Sequence, residues 1–336
     1  MRSTIVYRDQ VKKSISCLIV CVSCAFTVAA CVTRPSIPPA SPHIQERAKI
    51  TNLAPDFAVF WSRTNGQPID ARVAAFKADI GTRFPAFYGI ARYAGQRTQA
   101  EQDAIIRRAI EEFPEIRERY RERTERFHIV LPNAIASFSG RFPDFRPNVP
   151  IYVVHALGEA DGGTRSLPGG DVLFFGIDGM VRLHGDADDM PFFHHELFHT
   201  YHTPKLDECA GGPMWAYLWV EGLATYVSKV LNPDATDAEL LLDIPNGAIA
   251  RYRATLADSL AQFEKVADST DRTVYRDLFT RAGTGPLPGR RGYYLGYLIA
   301  NEAARTSDLR TLASLNCNQA RQAVQDAVQS LRRAYP

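Results

Sequence analysis

The sequence predicts an α+β fold, mostly helical, with a small sheet packed on a helix that carries the pattern His-Glu-x-x-His. Three observations predict it. Apolar residues recur at helical spacing through most of the chain, and only two short apolar runs near its middle have strand composition. Prolines and glycines punctuate the stretches between them. With 336 residues, 46% of them hydrophobic and 23% charged, the chain can bury a substantial core.

Residues 1–30 have the layout of a secretory signal peptide. Arg2, Arg8, Lys12 and Lys13 precede an uncharged run from Ser14 to Val32 that ends in small residues. The run closes Val28-Ala29-Ala30-Cys31, which resembles a bacterial lipoprotein signal. That resemblance implies cleavage before Cys31 and lipidation of its thiol and new amino terminus, anchoring the chain in a membrane. Val32 stands where an aspartate would argue for retention in the inner membrane, so lipoprotein sorting implies the outer membrane, facing the periplasm. An uncleaved anchor, since about 18 uncharged residues can also span a bilayer, and a plain cleaved signal are the other two readings. All three export the body. Pro35, Pro38, Pro39 and Pro42 make residues 31–48 an extended tether.

Without residues 1–30, 35 Lys+Arg face 36 Asp+Glu. A body so near neutral lacks the electrostatic footprint of a nucleic-acid binder. Cys17, Cys21 and Cys24 fall in the signal, leaving Cys209 and Cys317 in the body. In an oxidising compartment they can pair or stand as separate thiols.

Residues 49–145 read as a helical N-terminal portion. Helical spacing runs from Arg72 to Phe84 and from Gln99 to Phe127, where Ile105, Ile106, Ile110, Phe113, Ile116 and Tyr120 form the inward stripe. Pro114 should break or kink that stretch. Residues 146–336 form the core with C-terminal helices. Val149 to Val154 reads as a buried strand, Asp161-Gly162-Gly163 as a turn, and Asp171 to Ile177 as a second strand. Helices follow at 189–203, stopped by Pro204, and 214–230, stopped by Asn232-Pro233, then at 236–266, 292–306 and 318–333, with a loop over 283–291.

The chemistry is concentrated in His194-His195-Glu196-Leu197-Phe198-His199. Residues four apart on a helix share a face, so His195 and His199 can grip one metal ion. Zinc suits two imidazoles and a carboxylate with one position open, and Glu196 stands where a general base for an attacking water belongs. The third ligand is Glu221, 22 positions after His199 on the next helix. Its apolar neighbours Trp219, Val220 and Leu223 argue for a buried carboxylate that needs a cation. Small Gly222 and Ala224 suit a close approach of the two metal-bearing helices. A third-histidine scheme fails, because His202 and Lys205 occupy the positions needing glycine and histidine. His194 and His202 are read as supporting or surface residues, and Thr225 and Asn301 as residues that can orient the ligands.

The His195-to-His199 motif, Glu221-Gly222-Leu223-Ala224 and Gly292-Tyr293-Tyr294-Leu295-Gly296-Tyr297 together resemble the gluzincin class of zinc metallopeptidases, in particular a little-characterised bacterial group of predicted zinc-dependent proteases. The resemblance covers residues 145 to 305, with weaker agreement around Phe60-Trp61 and Phe76. It implies a gluzincin-like core, one zinc ion, and hydrolysis of a peptide or protein substrate. It also implies an edge strand that pairs with the substrate, for which Asp171 to Ile177 is the candidate, and an oxyanion donor. Tyr294 is favoured as that donor over Tyr293, Tyr297 and His184. The other function class is a peptide-binding or chaperone lipoprotein on the same scaffold that cleaves nothing.

Overall fold

A computed structural model describes residues 49–206, 208–209 and 211–336. The signal peptide, the lipidated Cys31 and the tether to residue 48 lie outside the described residues. One mixed sheet holds β1 (Ile50–Asn52), β2 (Ile151–Val154), β3 (Gly162–Leu167) and β4 (Gly170–Gly176), in the order β1-β2-β4-β3. β2 runs parallel to both β1 and β4, and β3 pairs antiparallel with β4. The N-terminal portion therefore contributes a strand as well as helices.

The sheet corrects one expectation about the edge. The strand read at Asp171 to Ile177 is β4, which is flanked on both sides and has no free edge. The sheet's edges are β1 and β3, and the one that borders the cavity is β3, which begins inside the Asp161-Gly162-Gly163 read as a turn. Gly162 is required there by packing: a Cβ would lie 2.7 Å from Phe192 Cζ and 3.2 Å from the Phe174 carbonyl oxygen. Turn composition and a tight strand-on-helix contact call for the same residue, and only the contact operates here.

α1 (Ala54–Arg63), α2 (Ile69–Asp79) and the 43-residue α3 (Gln99–Arg141) follow. Thr98 and Glu101 close a capping box at the start of α3, satisfying two donors that a helix start leaves free. The predicted stripe is buried from Ile106 to Tyr120, with Ile105 half-buried. Pro114 does not break α3, which continues through it and through Pro132. Pro114 cannot donate to the carbonyl four residues back, at Ile110. The Trp61 indole Nε1 donates to that carbonyl instead, at 2.9 Å. A Trp61→Phe variant should leave it buried and unsatisfied and lose about 1–3 kcal/mol of stability, read as a lower denaturant midpoint. A midpoint equal to wild type would mean the indole bond is dispensable.

Besides single turns at Pro85–Tyr88 and Leu309–Leu312, the other helices are α4 (Ile177–His184), α5 (Met190–His202), α6 (Met214–Leu231), α7 (Ala248–Ala254), α8 (Leu256–Val266), α9 (Arg272–Phe279), α10 (Arg291–Ala303) and α11 (Cys317–Ala334). The stretch expected as one helix over 236–266 begins only at Ala248, after Pro245-Asn246-Gly247. It divides at Thr255, between α7 and α8. Phe127 of α3 meets both Phe175 of β4 (5.5 Å between ring centroids) and Phe193 of α5 (5.0 Å). Sheet, long helix and His-Glu-x-x-His helix thus share one aromatic core. Among the described residues no helix is long and apolar enough to cross a membrane.

Cys209 and Cys317 form a disulfide across 108 residues of chain. It ties the segment between α5 and α6 to the start of α11. Replacing Cys317 with serine frees a long loop in the unfolded chain and should cost about 2–4 kcal/mol. Unfolding curves with and without reductant should show the same loss for wild type and none for the variant. Curves that do not move for the wild type would overturn this.

Candidate metal centre

α5 starts where Pro191, with no N–H to lose, occupies its first turn. Asp188 accepts from the Met190 N–H at 2.9 Å. Phe193, Leu197 and Phe198 face the core, which turns His195, Glu196 and His199 toward a cavity of about 590 Å³. α6 needs no side-chain cap, because its first N–H groups donate to the Ser269 and Ala267 carbonyls (2.9 and 2.8 Å). It presents Glu221 to the same cavity.

His195 Nε2 and His199 Nε2 lie 2.9 Å apart. Glu221 Oε2 stands 3.4 Å from the first and 3.5 Å from the second. Two ligand atoms each about 2.1 Å from a shared zinc ion, at a tetrahedral angle, lie about 3.4 Å apart. Three side chains from two helices therefore converge as ligands of one ion would, and the cluster can hold a metal ion. Burial works against the charged forms of both Glu221 and His199, and their mutual attraction reverses it. Glu221 sits well below the usual carboxylate range, with His195 helping, and His199 rises to about 9.

Thr225 of α6 places its Oγ1 3.4 Å from His195 Nδ1 while donating to the Glu221 carbonyl at 2.9 Å. The hydroxyl oxygen is left as the acceptor for Nδ1–H, so Nε2 presents its lone pair to the ion site. Asn301, the other expected orienting residue, is exposed on α10. Glu196 lines the cavity beside both histidines. Burial raises its pKa, and the two imidazoles pull in the opposite direction without overcoming it.

The other imidazoles are structural. His194 accepts from Asn232 Nδ2 on its Nδ1 (2.8 Å) and donates from Nε2 to Ser137 Oγ (2.6 Å), joining α5 to α3 and to the end of α6. Burial lowers it to about 4, so it stays neutral. His202 is fully buried and stacked on Phe198. Burial, with His199 and Lys205 nearby, lowers it to about 3.

The structure does not bring Tyr294, the expected oxyanion donor, to the cavity. Tyr294 is buried against Tyr252 (6.0 Å between ring centroids) and does not line the cavity. Tyr297 does not line it either, whereas Tyr293 does. Helical geometry gives the reason: α10 turns Gly296 toward α6, and Tyr293, three residues earlier, shares that side, while Tyr294 is rotated away. His184 is closed off, its side chain 1% exposed. Its Nε2 donates to Asp161 Oδ2 at 2.9 Å, and its Nδ1 lies 3.6 Å from Asp189, which Arg123 holds in turn at 3.0 Å. Burial works against a charged His184, yet Asp161 and Asp189 raise its pKa. It holds Asp161, which lines the cavity.

Asp161, Tyr293 and Arg290 are cavity residues for which the sequence reading had no role or a secondary one. The signal for Tyr293 was present in the Gly292-to-Tyr297 segment, since its small residues mark the crossing face. Asp161 was hidden in a segment with turn composition, and Arg290 in an expected loop. No family model, curated protein or solved structure matches this chain.

Proposed function

We propose that the chain is a zinc-dependent peptide hydrolase of the bacterial cell envelope. The observation that carries this reading is the convergence of His195, His199 and Glu221 at ligand spacing, with Glu196 beside them and not in the ligand set. A zinc ion held by the three would polarise a substrate carbonyl and acidify a water. Glu196 takes the proton from the attacking water and delivers it to the leaving amine. Tyr293 supplies a hydroxyl donor to the carbonyl oxygen as charge develops on it. The free edge of β3, from Gly162 to Arg165, lines the cavity and offers backbone groups to an extended peptide by strand addition. Support for export comes from the disulfide, since such bonds persist in oxidising compartments.

Metal analysis of the full chain purified without chelator, together with a peptide library digest, tests the reading. One equivalent of zinc and cleavage lost on chelation are expected. Zinc without cleavage of any library member would favour the peptide-binding or chaperone alternative, and absence of metal would overturn the site itself.

A further inference from the structure

Arg290 stands on the wall of the metal cavity, at the residue preceding α10. Its guanidinium lies 4.5 Å from the centroid of the Tyr293 ring, and Nη2 makes a long, 3.4 Å contact with the Leu241 carbonyl. Among the described residues no ion pair within 4.0 Å involves it; the cavity carboxylate that feels its charge is Asp161, which His184 already holds at 2.9 Å. The lack of an ion pair sets it apart from Arg165, the cavity's other arginine, which is engaged by Glu159 at 3.2 Å. It is also unlike Arg291 next to it, which is fully buried on Asp277 and Gln262. That buried anchor, with Asp277 also accepting from the Thr284 and Gly285 N–H groups (3.0 and 2.7 Å), fixes the backbone from which Arg290 projects.

The backbone at Arg290 is left-handed, with φ of 62°, a conformation that is strained for a side-chain-bearing residue and free for glycine. The residue it touches, Leu241, also lines the cavity and is also left-handed, at φ of 56°. Non-glycine residues held in this region beside a cavity point to use of the side chain. An arginine fork with no ion-pair partner among the described residues, in a partly enclosed site, matches one kind of group above others, a planar carboxylate bound by paired hydrogen bonds.

We propose that Arg290 binds a carboxylate of the substrate, making the enzyme selective for peptides that carry a free C-terminus or an acidic side chain close to the scissile bond. This deepens the peptide-hydrolase reading and rests on it for the word substrate. Arg290 acts as a specificity residue, and its cation–π contact holds the fork against Tyr293, itself a cavity residue.

Binding is measured on the full chain carrying Glu196→Gln, so that no probe is consumed. The probes are three dansylated peptides of one sequence: a neutral peptide amide, the same peptide with a free C-terminal carboxylate, and the amide with one glutamine replaced by glutamate. At least one carboxylate probe should bind about tenfold more tightly than the neutral one, and which of the two does so identifies the source of the carboxylate. In Arg290→Gly, where the left-handed backbone is relieved and folding is retained, the ratio of carboxylate to neutral affinity should fall to about one; Arg290→Lys should keep part of it. Equal binding of all three probes, or a carboxylate preference that persists in Arg290→Gly, would overturn the proposal. Wild-type cleavage is assayed separately: cleavage without carboxylate preference sinks this inference alone, whereas an Arg290-dependent preference without cleavage sinks the hydrolase reading and leaves the carboxylate subsite standing.

Discussion

On the proposed hydrolase reading, Glu196→Gln should nearly eliminate peptide hydrolysis while leaving the metal in place. Glutamine matches glutamate in shape, and Glu196 is not one of the three converging ligands, so zinc content should stay at the wild-type level. What disappears is the group that accepts and returns a proton. Loss of a positioned general base costs on the order of 10²–10⁴ in rate, and roughly a thousandfold fall in kcat is expected with KM little changed. Glu221→Gln provides the contrast. It removes the charge that binds the ion and should lose metal and activity together. A Glu196→Gln protein that keeps zinc and full activity would remove Glu196 from the chemistry; one that loses zinc would make it a ligand.

Gly222→Ala should have a large structural effect, because a Cβ there would make the closest approach of any glycine in the described residues. A Cβ on Gly222 would sit 2.1 Å from the Gly296 carbonyl carbon and oxygen of α10. The obstacle is backbone and cannot rotate away. Ordinary contact begins at 3.4 Å, so α6 and α10 must separate by more than an ångström. Overpacking of a core usually costs about 1–3 kcal/mol, and a clash against helix backbone belongs at or beyond the upper end. Glu221 is the preceding residue on α6, so the same displacement pulls one ligand away from two that α5 holds still. Reduced thermal stability and at least tenfold weaker zinc binding are expected, from melting curves and competition with a chelating dye. Gly140→Ala is the control: a Cβ there meets nothing within 4 Å, and the exchange in helical α3 should stabilise by up to about 1 kcal/mol. If Gly222→Ala behaves like Gly140→Ala, the close crossing of α6 and α10 is not what positions Glu221.

The same glycine shows where sequence reasoning stopped. Its smallness was legible, and so was a close helix approach. The partner was not: the reading matched α6 to α5 through Gly222, whereas Gly222 meets Gly296 and α5 packs elsewhere on α6. Pro114 is a parallel case. Local chemistry says that a proline in a helix leaves a carbonyl without its donor, and the donor that rescues Ile110 comes from Trp61, 49 residues away.

By itself the sequence determined the metal ligands His195, His199 and Glu221 as candidates, and the mostly helical order of the elements with its proline stops. These depend on spacing along one helix and on the periodicity of apolar residues, both local properties. Tertiary structure decided which strand is the edge beside the cavity, which tyrosine faces the cavity, whether Cys209 and Cys317 meet, and that His184 holds Asp161 while Arg290, among the described residues, has no ion-pair partner on the cavity wall. Each of these is a relation between segments distant in sequence. Composition cannot distinguish Tyr293 from Tyr294 until the crossing of α6 and α10 fixes the rotation of α10, nor β3 from a turn until Phe192 packs on Gly162.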